Sequence, residues 1–248
     1  MTIVLVHGAY RGAWLWSRLT PLLAAAGHLV FAPTLDGLGE RAQHIHPGVG
    51  LAAHVDDIVG LIDDESLAEV LLVGASYGGM VITGAAGRRS DRIRALLYLD
   101  APVARPGEAL WDLFDDQRRT TLVDAAVHEG EGWRVPARLG RPAPGFADTA
   151  DEDWIGSRLT DQPLLTFLQP LPPAGDGVPD VPRFFVRCTG GPSVPSPVAR
   201  SAERVGNDPD WVFRTVAAPH DAMVTHPDLI AAELISAGRH AGIEAAAR

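Results

Sequence analysis

The sequence predicts an α/β fold: a doubly wound, mainly parallel six-stranded sheet carrying a mostly helical insertion. Three observations carry this reading. Short runs that are apolar throughout alternate with stretches whose apolar residues recur at helical spacing, the pattern of a sheet covered on both faces. The alternation fills residues 1–102 and returns over 181–248. Between them, 103–180 is rich in Pro, Gly and charge, and at roughly 80 residues it is too long to be a loop.

The elements follow in order. Ile3-Val4-Leu5-Val6 is a β-branched run ending in His7-Gly8. Trp16 to Ala26 reads as a helix stopped by Gly27, and His28 to Ala32 as a second strand ended by Pro33. Leu51, Val55, Ile58, Val59 and Ile62 form one helical stripe. Val70 to Val73 is a third strand, Gly78 to Arg88 a helix, and Ile93 to Leu99 a fourth strand. Phe184 to Cys188 and Trp211 to Val216 supply the last two strands, and Pro227 to about Ala237 the last helix. The insertion holds Trp111, Phe114, Trp133, Phe146, Trp154 and Phe167. These aromatics either form its own core or line an apolar pocket.

With 248 residues, 46% hydrophobic and 21% charged, the chain is globular rather than disordered or coiled-coil. A formal charge of −10 argues against nucleic acid. All 21 positive residues are Arg, so lysine-dependent mechanisms are excluded. The single cysteine, Cys188, excludes an internal disulfide framework and reads as an inert core thiol. No run approaches the ~20 apolar residues of a membrane span. A cytoplasmic protein is expected, with no nucleic-acid or membrane partner; a homodimer stays open.

Gly74-Ala75-Ser76-Tyr77-Gly78 matches G-x-S-x-G directly after a strand and at the start of an apolar helix. That context is the strand–turn–helix that exposes a nucleophilic serine, with small flanking residues because larger ones would clash. A serine needs a base, and His220 falls between the last strand and the last helix. His226 reads as a surface or capping residue. His44, His46, His54, His128 and His240 read as bystanders on loops or helix faces. His7 shapes the loop whose Ala9 N–H, with that of Tyr77, is positioned as an oxyanion donor. For the acid, Tyr98-Leu99-Asp100 puts a carboxylate at the end of an apolar run, where it costs stability unless paired. His220 is the partner assigned to it. Asp208, Asp210 and Asp221 are the alternatives.

Val4 to Ala9 with Gly12-Ala13-Trp14, the Gly74 to Gly79 turn, Ala32 to Arg41, and His220 seven residues before Pro227 resemble the α/β-hydrolase superfamily. More narrowly they are similar to the esterase branch that contains plant methylesterases and hydroxynitrile lyases. The resemblance covers 1–102 and 181–248 and is weak over the insertion. It implies six parallel strands, a cap formed by 103–180, Ser76 as nucleophile, His220 as base, and Ala9 and Tyr77 as oxyanion donors. Gly191 stands where plant members carry the acid. Asp100 matches the position used by dehalogenase-like and some lactonase members. Plant-type lyases rely on a lysine, which this chain lacks. The expected activity is cofactor-free hydrolysis of an ester or lactone of an apolar or aromatic small molecule. A lyase or cyclase, a slow ligand-binding receptor and an interaction protein are the competing classes.

Overall fold

The computed structural model describes residues 1–142, 148–172, 180–191 and 196–243. Its strands are β1 (Thr2–Val6), β2 (Leu29–Phe31), β3 (Val70–Ala75), β4 (Ile93–Leu99), β5 (Arg134–Val135), β6 (Gln162–Pro163), β7 (Arg183–Cys188) and β8 (Trp211–Val216). Its α-helices are α1 (Thr20–Ala25), α2 (Leu51–Asp64), α3 (Gly78–Arg88), α4 (Leu110–Leu113), α5 (Asp116–Glu129), α6 (Thr149–Gly156), α7 (Leu165–Leu168), α8 (Pro197–Val205), α9 (Ala222–Thr225) and α10 (Pro227–His240).

Six strands form one parallel sheet in the order β2-β1-β3-β4-β7-β8, and β5 pairs with β6 as a two-residue antiparallel ribbon. Side chains alternate along a strand, so each central strand feeds two cores. Val4, Val6, Leu72 and Leu96 pack on one face, and Ile3, Leu5, Leu71, Val73 and Leu97 on the other. Burying each such side chain contributes about 1.5–3 kcal/mol. Leu29, on the edge strand β2, remains 54% exposed.

Within the insertion, α4 to α7, the β5–β6 ribbon and a 3-10 turn at Ala137–Gly140 are the regular elements of the described residues. Leu110, Phe114, Leu122, Val135 and Phe167 share a buried cluster with Val6 and Leu72. The segment therefore packs on the sheet's own core. Phe146 lies outside the described residues.

Two elements differ from the sequence expectation. The helix expected over Trp16 to Ala26 is a 3-10 turn, Ala13–Trp16, followed by α1. Pro21 has no N–H to donate back to Ser17, so no α-helix runs through that turn. α8 is an element beyond the sequence expectation. Its signal is Ser196-Pro197: the serine caps by accepting from the Ala199 N–H at 3.1 Å, and the proline fills the first turn. No helix among the described residues is long and apolar enough to cross a membrane.

Register aligns the strand ends. Ala75 pairs with Leu99, Leu99 with Val186, and Cys188 with Val216. The residues just beyond these pairs gather at one carboxyl edge.

Candidate active site

Ser76 follows β3 with φ +50°, a left-handed backbone that costs a non-glycine residue about 1–3 kcal/mol. Its N–H donates to the Leu99 carbonyl at 3.2 Å. The turn is tight enough to exclude any Cβ at its flanks. One at Gly74 would lie 2.5 Å from the Gly78 carbonyl oxygen, and one at Gly78 would lie 2.5 Å from that of Val6. The G-x-S-x-G spacing is thus a packing requirement as well as a motif.

Asp100, one residue beyond β4, is also left-handed, at φ +43°, and is 5% exposed. Its Oδ1 accepts from Arg187 Nη1 at 2.9 Å and from the Cys188 N–H at 3.0 Å. Its Oδ2 lies 2.6 Å from His220 Nδ1. Burial opposes its ionisation. The His220 hydrogen bond, the His220 and Arg187 charges and the Cys188 amide outweigh this, and the carboxyl is held below its ordinary value. For His220, burial likewise disfavours the charged form. The bond to Asp100 and the charges of Asp100 and Asp221 prevail, so the imidazole titrates above its ordinary value. The loop bearing His220 is tied to the end of β7 by Thr189 N–H to Val216 O and Gly190 N–H to Ala218 O, each 2.9 Å.

The other acids stand elsewhere. Asp208 accepts from the Asp210 N–H at 3.0 Å, and Asp210 is an exposed partner of Arg183 at 3.5 Å. Asp221 turns away from His220 into a bidentate pair with Arg11, Nε to Oδ1 at 2.9 Å and Nη2 to Oδ2 at 2.7 Å.

His7 is fully buried. Its Nδ1 donates to the Gly8 carbonyl at 2.9 Å and its Nε2 accepts from the Leu35 N–H at 3.0 Å. Burial lowers its pKa to about 4, so it is neutral and braces the loop as expected. The N–H groups of Ala9 and Tyr77 donate to no other group among the described residues.

His54 corrects the sequence reading, which made it a bystander. It is fully buried; its Nε2 donates to the Asp36 carbonyl at 2.8 Å, and its Nδ1 accepts from the Tyr77 hydroxyl at 2.9 Å. It therefore anchors the residue after Ser76. His226 is exposed and bonds to Thr225 Oγ1, while His44 bonds to Asp36. Burial and the Asp100 charge push the Cys188 thiol up, in keeping with an inert thiol. Arg11 and Arg187 escaped sequence reasoning. Arg187 left a signal, a cation near the carboxyl end of an otherwise apolar Phe184–Cys188 run; Arg11 left none.

A cavity of about 780 Å³ opens over this edge, lined by Ser76, Asp100 and His220 with Ala9 and Tyr77. Ser76 and His220 share it without a hydrogen bond between them among the described residues. Leu110, Phe114, Phe167 and Val198 supply apolar wall. Trp154 instead packs edge-on against Trp14, with ring centroids 5.3 Å apart. The insertion's aromatics thus divide between cavity wall and packing against the sheet-bearing part of the chain. Among the described residues no group of three or more His, Cys, Asp or Glu is arranged to hold a metal ion.

A hydroxyl on a strained turn after a central parallel strand, beside an Asp-paired histidine, is the site architecture of one class of enzyme. The chain belongs to the alpha/beta hydrolase family, whose model matches residues 3–233. It is 36% identical over 240 residues to a carbendazim hydrolyzing esterase of Nocardioides sp. (strain SG-4G), covering 95% of this chain and 98% of that one. It is 38% identical over 102 residues to an alpha-hydroxynitrile lyase of Arabidopsis thaliana, covering 40% and 38%. In fold it is similar to an extracellular alpha/beta-hydrolase from a Paenibacillus species (TM-score 0.84, 22% identity, 96% and 99% covered). Family and relatives class the chain as an enzyme of the ester-hydrolase kind.

Proposed function

We propose that this chain is a serine hydrolase that cleaves a carboxylic ester or lactone of an apolar or aromatic small molecule through an acyl-enzyme. The observation that carries the reading is the 2.6 Å contact of Asp100 with His220 Nδ1 in the cavity that Ser76 lines. That contact leaves Nε2 of His220 to take the Ser76 proton as Oγ attacks the carbonyl carbon. The Ala9 and Tyr77 N–H groups receive the oxyanion. His220 then protonates the leaving alcohol, and water reverses the sequence to free the acid and restore the serine. Asp100 stays ionised, orienting the ring and stabilising the imidazolium.

Residues 103–180 act as the cap. Leu110, Phe114 and Phe167 favour an apolar acyl group, and the cavity volume suits a small molecule. The lyase reading lacks its lysine.

Turnover of 4-nitrophenyl acetate and of carbendazim, compared with Ser76→Ala, tests the proposal. Ser76→Ala is expected to lose on the order of 10⁴-fold or more in kcat on any ester the wild type cleaves. A variant keeping a tenth of that rate overturns the assignment.

A further inference from the structure

Arg11 and Asp221 form the most buried ion pair among the described residues, with side chains 8% and 4% exposed. Arg11 also donates from Nη1 to the Ala9 carbonyl at 2.9 Å. One guanidinium thus grips the peptide group that follows the candidate oxyanion donor and the carboxylate next to the candidate base. The two segments lie at opposite ends of the chain. Among the described residues, no other hydrogen bond joins residues 7–12 to 217–226. A buried pair adds little stability over apolar residues of the same shape, so its use here has to be sought in geometry.

Hydrolysis needs that geometry. The oxyanion donor and the base serve opposite sides of one tetrahedral carbon, and a shift of about 1 Å between them costs on the order of 10²-fold. We propose that Arg11 is a positioning residue for this reaction, fixing the Ala9 loop against the His220 loop and offsetting the charge of Asp221 beside the imidazole. The inference rests on the Ser76–His220 reading. Charged groups acting on His220 are Asp100, Asp221 and Arg11, with Arg187 beyond Asp100; the neighbouring Cys188 thiol stays protonated. Asp221 favours the imidazolium and Arg11 opposes it.

The two charges therefore give a signature that loosening alone does not. With 4-nitrophenyl acetate, Arg11→Met is expected to lower kcat by roughly 10²-fold with little change in KM. The acid limb of its kcat/KM profile moves to higher pH by about half a unit or more. Asp221→Asn leaves Arg11 unopposed and moves that limb to lower pH. Arg11→Lys keeps the charge without the fork, so its limb stays at the wild-type position while kcat remains reduced about tenfold. Where Arg11→Met does not fold, the double variant Arg11→Met/Asp221→Asn leaves no lone buried charge and carries the test; its limb returns toward wild type while its kcat stays low. Limbs moving the same way in both single variants, or a double variant within threefold of wild-type kcat, overturn the inference. Ser76→Ala separates the two claims. Activity surviving in Ser76→Ala sinks the hydrolase reading, whereas an inactive Ser76→Ala beside wild-type Arg11 variants sinks only the positioning role.

Discussion

Ser76 and Asp100 occupy the first positions beyond two neighbouring strands, β3 and β4, and both are held in left-handed backbone. Leu99 joins them: its carbonyl oxygen accepts the Ser76 N–H, and its carbonyl carbon is bonded to the Asp100 nitrogen. Two strained residues side by side at one sheet edge are conformations the surrounding packing must enforce. Their strain fits the proposed roles of nucleophile and acid.

Asp100→Asn retains the volume and removes the charge. In the proposed triad it is expected to cut kcat on the order of 10⁴-fold, because the amide favours the wrong imidazole tautomer. Asp208→Asn and Asp210→Asn, on solvated carboxylates away from the cavity, should each stay within about threefold of wild type. Steady-state kinetics on one aryl ester decides between them; a reversed ranking removes Asp100 from the triad.

The pH profile has a definite sign. As the proposed base, His220 must be neutral to accept a proton, and its pKa lies above the ordinary 6.5. The acid limb of kcat/KM is therefore expected above pH 6.5, and in Asp100→Asn residual activity should show it lower. A wild-type limb below pH 6 contradicts the pairing.

Stability carries the same pair. A raised histidine contributes fully below its unfolded value of 6.5 and loses that contribution as pH rises through its folded value. A depressed carboxylate contributes above its unfolded value of 3.8 and loses it as pH falls through its folded value. The stability gap between wild type and Asp100→Asn should be widest between pH 3.8 and 6.5. Urea titrations across pH check this, and a gap growing steadily above pH 7 argues against it.

Gly8→Val probes the proposed oxyanion loop. A Cβ there would lie 3.0 Å from Ser76 Cβ and 3.6 Å from its Oγ, so a branched side chain presses on the proposed nucleophile. A loss of roughly 10²-fold or more in kcat is expected. Unchanged kcat in a folded variant separates this loop from the reaction.

Gly74→Ala tests the turn's packing rather than its chemistry. The new Cβ would meet backbone of Gly78 and Gly79 between 2.5 and 2.9 Å, which only a shift of α3 relieves. Destabilisation of about 1–3 kcal/mol or more is expected by urea unfolding. A change under about half a kcal/mol shows a looser turn than the one described.

Much of this was legible in the sequence because each signal is local. Apolar runs marked the six sheet strands, and Gly74 to Gly78 marked the turn after β3. Asp100 was legible because a carboxylate closing an apolar run needs a partner. Arg187 was not assigned, since its pairing with Asp100 comes from the β4–β7 register, a tertiary fact. The Arg11–Asp221 pair spans nearly the whole chain, and His54 gains its role only when α2 packs beside Tyr77. The break before α1 has a local signal in Pro21, but the apolar run around it carries helical spacing straight through.

The most direct measurement is peptide mapping by mass spectrometry after treatment with a fluorophosphonate. Wild-type protein should carry one adduct, on Ser76, with ester turnover lost in step with labelling, and Asp100→Asn should label more slowly by orders of magnitude. Full turnover by unlabelled protein, or an adduct on any other residue, contradicts the serine-hydrolase reading.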